Sequence, residues 1–168
     1  MLIDTRDSHL DRDEPSLPPA DVVSLTAGVS LAAGAIHAAA APGHFGELWL
    51  YGLLFGVVAV AQLAWGVLLY RRPEPRLLRK AAIGNALVVV AWIVAHTIGL
   101  PFGREGVQTM GTLGIMATVD EVFLALTPWL LPAVALRGNR GERRRYEWAA
   151  IALCVASFSA LMLAGGHH

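Results

Sequence analysis

Five apolar segments, each about as long as a membrane-spanning helix, make up most of this chain. A helix needs about 20 apolar residues to cross a hydrocarbon core about 30 Å thick. The apolar positions do not alternate with a period of two, which argues against a transmembrane β-barrel. We therefore predict an all-α, polytopic membrane bundle with helices over residues 22–41, 48–70, 81–100, 112–136 and 146–164. Because the first segment is the least apolar, a bundle of four spanning helices is the alternative.

Basic residues are concentrated between apolar segments, in two short stretches at 71–80 and 137–145. Short loops rich in Arg and Lys remain on the cytoplasmic side of a membrane. This rule places the N-terminus in the cytoplasm and the C-terminus outside. The two other connections, 42–47 and 101–111, are then expected to be outer loops.

Aromatic residues near the segment ends agree with this topology, because Trp and Tyr prefer the membrane interface. Trp49 and Tyr51 are expected at the outer end of the second helix, and Tyr70 at its inner end. Tyr146 and Trp148 are expected at the inner end of the fifth helix.

The composition fits a membrane protein, with 55% hydrophobic and only 15% charged residues, against about 25% charged residues in soluble domains. The preference for Arg over Lys and the abundance of Ala and Gly suggest a GC-rich bacterial genome, hence a bacterial plasma membrane. Residues 1–21 are acidic and rich in Pro, so we expect a disordered cytoplasmic tail. Residues 165–168 form a short outer tail that ends in His167 and His168, which are either native or a remnant of handling. Membrane topology accounts for the arginine clusters, so nucleic-acid binding is not expected.

Ionisable side chains inside the membrane indicate function by default, because burying them is costly. In the predicted topology such residues gather in the outer half of the bundle. The candidate metal ligands are His37, His44, Glu47, His96 and Glu121. Helical spacing adds a polar face that points towards the protein, formed by Tyr51, Gln62, Asn85, Thr118 and Asp120.

Four interpretations of this cluster remain open. Its members hold helices together through hydrogen bonds, or they bind a divalent metal such as Zn, Cu or Fe, which imidazole and carboxylate ligands suit. Alternatively, His37 and His96 clamp a b-type haem, or Glu121 belongs to a proton or substrate pathway. The chain has no H-E-x-x-H, C-x-x-C, G-x-S-x-G or phosphate-binding loop, so an enzymatic function is not expected. The favoured prediction is metal binding or handling, as an accessory to a larger membrane system.

Gly52 and Gly56 form a G-x-x-x-G motif in the second helix, which permits close approach of another helix. That helix belongs either to the same chain or to a second copy or another membrane protein.

A resemblance to a known group adds to this picture. The matching residues between positions 33 and 103 include Gly34-Ala35-Ile36-His37, Pro42-Gly43-His44-Phe45, Glu47-Leu48-Trp49, Gly84-Asn85 and Gly99-Leu100-Pro101-Phe102-Gly103. This stretch resembles a group of small multi-pass membrane proteins of actinobacterial type, for which we know of no assigned activity. The resemblance implies a membrane protein that acts near its first outer loop.

Overall fold

The computed structural model describes residues 20–98, 111–136 and 140–165. These residues form five α-helices and contain no strand, and all five helices are long and apolar enough to cross a membrane. The prediction of a five-helix membrane bundle is confirmed, and the four-helix alternative is not favoured. The helices are α1 (Ala20–Glu47), α2 (Trp49–Arg71), α3 (Pro75–Thr97), α4 (Thr112–Leu136) and α5 (Arg140–Gly165). Of the expected tails at 1–21 and 165–168, residues 1–19 and 166–168 lie outside the described residues, as does most of the expected loop at 101–111. Residues 20–21 belong to α1 and residue 165 to α5, so the tails are shorter than expected.

Three helices extend beyond their apolar segments. The first expected loop is wrong, because residues 42–47 continue α1 through Pro42. Pro75 begins α3 several residues before its apolar segment, since proline lacks the N–H that a first helical turn leaves unpaired. α5 also begins before its apolar segment, at Arg140. A helix can extend over such basic residues because long basic side chains stay in water while their stems cover apolar surface.

α1 is the central helix of the bundle. It packs against α2, α4 and α5, and 56% of its apolar stretch is buried, against 17–28% for the other four spans. Small residues permit this packing, because a Cβ added at Gly34 would lie 2.9 Å from Cγ of Leu63 in α2. The central helix is therefore covered by α2, α4 and α5. The expectation that its segment is the least apolar is wrong, because the mean hydropathy is 1.6 for the α1 span and 1.4 for the α4 span.

The G-x-x-x-G motif does not form one free surface. A Cβ added at Gly52 would collide with the ring of Phe45 from α1, so this glycine is used within the monomer. Gly56 has open space around its Cα.

The two ends of the bundle differ in charge. We call the end with the α1–α2 connection, where His44 and His96 lie, the histidine end. We call the end with the α2–α3 connection the arginine end; its exposed basic residues are Arg71, Arg72, Arg76, Arg79, Lys80, Arg144 and Arg145.

Tyr146 lies at the arginine end, where its side chain is buried in the bundle. Its side chain is 5% exposed, and its hydroxyl lies 2.6 Å from Oγ1 of Thr26 in α1. The Thr26 hydroxyl donates to the backbone oxygen of Val22, so Tyr146 is the donor of this bond. A buried phenol needs such a partner, and the bond ties α5 to the central helix.

Candidate functional site

The site is built around a contact between His37 of α1 and Glu121 of α4. Nε2 of His37 lies 3.2 Å from Oε1 of Glu121, and the two residues are 6% and 1% exposed. Nδ1 of His37 lies 3.0 Å from the backbone oxygen of Ala33. That oxygen only accepts hydrogen bonds, so Nδ1 carries a hydrogen.

The contact requires a shared proton. Two lone pairs would repel each other at this distance, so a hydrogen lies between His37 and Glu121. The pair is either imidazolium with carboxylate or neutral imidazole with carboxylic acid. Its formal charge is zero in both forms, which removes much of the cost of burying Glu121.

Two amides continue this pair into α2 and α3. The Asn85 amide nitrogen donates to the backbone oxygen of Ala81 at 2.8 Å, so Oδ1 of Asn85 faces Gln62. Nε2 of Gln62 donates to that oxygen at 3.1 Å and to Oε1 of Glu121 at 3.4 Å. This orientation leaves Oε1 of Gln62 buried without a hydrogen-bond partner among the described residues. We call His37, Gln62, Asn85 and Glu121 the polar network.

The adjacent carboxylate faces the other way. Asp120 is fully buried and accepts a hydrogen bond of 2.6 Å from the hydroxyl of Ser157 in α5. Its other oxygen, Oδ1, has no partner among the described residues. Adjacent helical positions are about 100° apart, so Asp120 and Glu121 serve different helix pairs.

A cavity of about 480 Å³ lies between α1, α2, α3 and α4 at the histidine end. Most of its lining is apolar. Its polar lining residues are His37, His44, Tyr51, His96, Thr118 and Glu121.

The cavity has an open flank between α2 and α3. These two helices touch little, and their contacts include Gln62 with Asn85. Leu54 of α2 and Leu87 of α3 line the cavity, although they are 47% and 65% exposed. This flank is therefore apolar and faces the surroundings of the bundle.

The remaining candidate ligands lie near the mouth of the cavity. Nδ1 of His44 lies 3.2 Å from Oε2 of Glu47, and its ring is 4.0 Å from the ring of Phe55. The Glu47 side chain is 61% exposed and does not line the cavity. His96 stacks on Trp92 at 4.2 Å, and its Nδ1 lies 2.8 Å from the Trp92 backbone oxygen.

The five predicted ligands thus do not form one cluster. His37 pairs with Glu121, His44 pairs with Glu47, and His96 stacks on Trp92. Within the part of the chain that the structure describes, no group of three or more His, Cys, Asp or Glu side chains is placed to hold a metal ion. His37 and His96 do line the same cavity, as a haem clamp requires, but Nε2 of His37 is engaged by Glu121.

Of the predicted polar face, Gln62 and Asn85 join the network. Tyr51 and Thr118 line the cavity, and the Thr118 hydroxyl donates to the backbone oxygen of Gly114 at 2.8 Å.

Sequence reasoning missed Ser157 and the role of Tyr146. Serine and tyrosine are common on membrane helices, so only the position of a partner distinguishes these two residues. Asp120 gave the one usable signal, because a buried carboxylate needs a donor from a neighbouring helix.

Comparisons with protein-family models, with curated proteins and with solved structures found no significant match to this chain.

Proposed function

We propose that this chain is a multi-pass protein of a bacterial plasma membrane that binds a small, largely apolar molecule in the cavity at its histidine end. The observation that carries the proposal is the His37–Glu121 pair in the wall of an otherwise apolar cavity. Binding sites for small molecules are typically apolar clefts with a few polar groups that orient the ligand. Here the pair would hold a polar group of the ligand, and the apolar walls would cover the rest.

The test compares two substitutions of equal size on α3. Ala95→Phe adds a ring to a residue that lines the cavity, whereas Ala86→Phe adds the same ring to an exposed residue that does not. The probe is 1-naphthol, a neutral aromatic alcohol, titrated calorimetrically into the protein in lipid nanodiscs, with empty nanodiscs as the blank. We expect saturable binding to the wild type and to Ala86→Phe, and its loss in Ala95→Phe. Equal heats from all three proteins and from empty nanodiscs would leave the polar network with a structural role only.

Divalent metal binding is the second candidate, and one observation favours it. Each of the three cavity histidines has an oxygen within 3.2 Å of Nδ1, provided by Ala33, Glu47 or Trp92. Metal-binding histidines are commonly oriented in this way, with the other ring nitrogen left for the metal. In His37 that nitrogen contacts Glu121, so a metal would have to replace this contact. To bind Zn, Cu or Fe, side chains of the His37–Glu121 pair and of the His44–Glu47 pair would have to move together.

Elemental analysis tests this candidate on protein purified without a metal-affinity resin. Retention of about one metal ion per chain, lost in the His44→Ala/Glu47→Ala double variant, would support metal handling. A metal content at background level would remove this candidate. An optical spectrum of the same sample tests the haem alternative, because bound haem gives a Soret band.

We also propose that the arginine end lies in the cytoplasm. The support is the exposed basic residues of that end, which the positive-inside rule places on the cytoplasmic side. Reporter fusions after Arg72 are expected to be active only as cytoplasmic reporters. An active exterior reporter at that position would reverse the topology.

A further inference from the structure

We propose that the ligand of this cavity is a lipophilic organic cation, which exchanges for the proton shared by His37 and Glu121. This inference rests on the proposed function and names its ligand class. It starts from the chemistry of the groups that face the cavity and the polar network.

The cavity is lined by aromatic rings, three histidines and one carboxylate. Tyr51, Phe55 and Trp92 line the cavity, and the faces of such rings attract cations. Glu121 provides a carboxylate in the wall of the cavity. Among the described residues that line the cavity, none is Lys or Arg. An anion would find no fixed positive charge there, whereas a cation would find a carboxylate and three rings.

Charge balance links the cation to a proton. The His37–Glu121 pair is formally neutral while it holds the shared proton. A cation bound beside the pair would leave a net buried charge of one unit, which is costly in an apolar site. Loss of the shared proton to water leaves a neutral imidazole, a carboxylate and the cation, with a total charge of zero. No covalent bond forms or breaks apart from this proton transfer.

The groups around Glu121 show which carboxylate balances the charge of a bound cation. The titratable and polar groups of the five helices near it are His37 and His44 of α1, Tyr51 and Gln62 of α2, Asn85 and His96 of α3, Asp120 of α4, and Ser157 of α5. Asp120 points towards Ser157, on the side away from the cavity. Glu121 is therefore the one acidic group of the described residues that lines the cavity.

The open flank suits the same ligand class. A lipophilic cation partitions into the membrane, and the apolar opening between α2 and α3, with Leu54 and Leu87 at its edges, faces the surrounding lipid. A ligand dissolved in the bilayer would reach the polar network without crossing the charged arginine end.

The experiment uses two probes of nearly the same shape and opposite charge, tetraphenylphosphonium and tetraphenylborate. Each is titrated calorimetrically into the full chain in nanodiscs, with empty nanodiscs subtracted. We expect the cation to bind about 30-fold more tightly than the anion, the ratio that corresponds to about 2 kcal/mol of desolvated cation–ring attraction. Titrations in two buffers of different ionisation enthalpy are expected to report release of about one proton per bound cation.

Two variants test the role of the carboxylate. Glu121→Gln keeps a hydrogen-bonding side chain but removes the carboxylate, so the cation preference and the proton release are both expected to be lost. Asp120→Asn is the matched control on the same helix. It is expected to keep the preference for the cation and the release of a proton on cation binding.

Equal affinity for the two ions, or cation binding without proton release in the wild type, would overturn the cation assignment even if 1-naphthol binds. Failure of every probe to distinguish wild type from Ala95→Phe would remove the proposed function itself.

Discussion

The two flanks of this bundle are both built from helices apolar enough to cross a membrane, but they pack in different ways. On the flank where α5 meets α1 and α4, polar side chains form hydrogen bonds between helices, including Ser157 with Asp120 and Tyr146 with Thr26. On the flank between α2 and α3, the exposed residues Leu54 and Leu87 border a cavity instead. One flank is closed and the other is open.

The difference shows what closes a helix contact inside a membrane. Lipid tails are as apolar as leucine, so apolar side chains alone give little drive for helices to associate. Small residues and interhelical hydrogen bonds provide that drive. The open flank has such a bond between Gln62 and Asn85, but α2 and α3 touch little beyond it. The adjacent acids of α4 show both outcomes within two positions, because Asp120 meets a hydroxyl across a closed contact and Glu121 faces the cavity.

The largest effect is expected from Glu121→Ala. This change leaves Nε2 of the buried His37 ring without its partner and removes one of the two acceptors of the Gln62 amide. Breaking a buried ionisable pair costs about 3–5 kcal/mol. The free energy of unfolding, measured by denaturing-detergent titration in mixed micelles, is expected to fall by that amount. A loss below about 1 kcal/mol would mean that the polar network does not hold the open flank together.

Gly34→Ala is expected to have the next largest effect, because its Cβ would press on Leu63 at the α1–α2 contact. Overpacking of a close contact typically costs about 1–3 kcal/mol. The matched control is Gly56→Ala on α2, where the added methyl group meets open space. The same unfolding titration is expected to show that the control is unchanged or slightly more stable. Equal destabilisation of both variants would contradict close packing at Gly34.

Ser157→Ala tests the closed flank. Asp120 would lose its only hydroxyl donor among the described residues, with an expected cost of about 1–2 kcal/mol for an unsatisfied buried group. Ser159→Ala is the control two residues away, because the Ser159 hydroxyl is exposed and bonds only its own helix. A control that costs as much as Ser157→Ala would argue against the interhelical bond.

The smallest effect is expected at the Thr26–Tyr146 contact. Thr26→Val removes an acceptor of the Tyr146 hydroxyl, and Tyr146→Phe removes the hydrogen bond that the Thr26 oxygen accepts, so each change alone is expected to cost about 1 kcal/mol. The double variant is expected to cost less than the sum of the single costs, which a double-mutant cycle measures as a coupling energy. Strictly additive costs would mean that the two hydroxyl groups do not interact.

The sequence was sufficient for the helices and for much of the polar network. Segment length and apolarity follow directly from the composition of each stretch, so five helices could be predicted. Spacing along each helix placed His37, Gln62, Asn85 and Glu121 on inward faces, because 3.6 residues per turn fixes which positions share a face.

Contacts between helices were not predictable in the same way. The separation of His44 and Glu47 from Glu121 depends on α1 continuing through Pro42, where a loop was expected. The cavity depends on how far apart α2 and α3 lie, which is a property of the whole bundle and not of either segment. The burial of Tyr146 likewise follows from its partner Thr26, which is distant in the sequence.

The single residue between α1 and α2 has a mechanical consequence. Leu48 alone separates the two helices, and backbone hydrogen bonds join its N–H to the oxygen of His44 and its oxygen to the N–H of Gly52. So short and so well bonded a hinge cannot let α1 and α2 swing apart, and Gly34 keeps them in contact further along. The hairpin therefore behaves as one rigid body, and any widening of the cavity must come from displacement of its other two walls, α3 and α4.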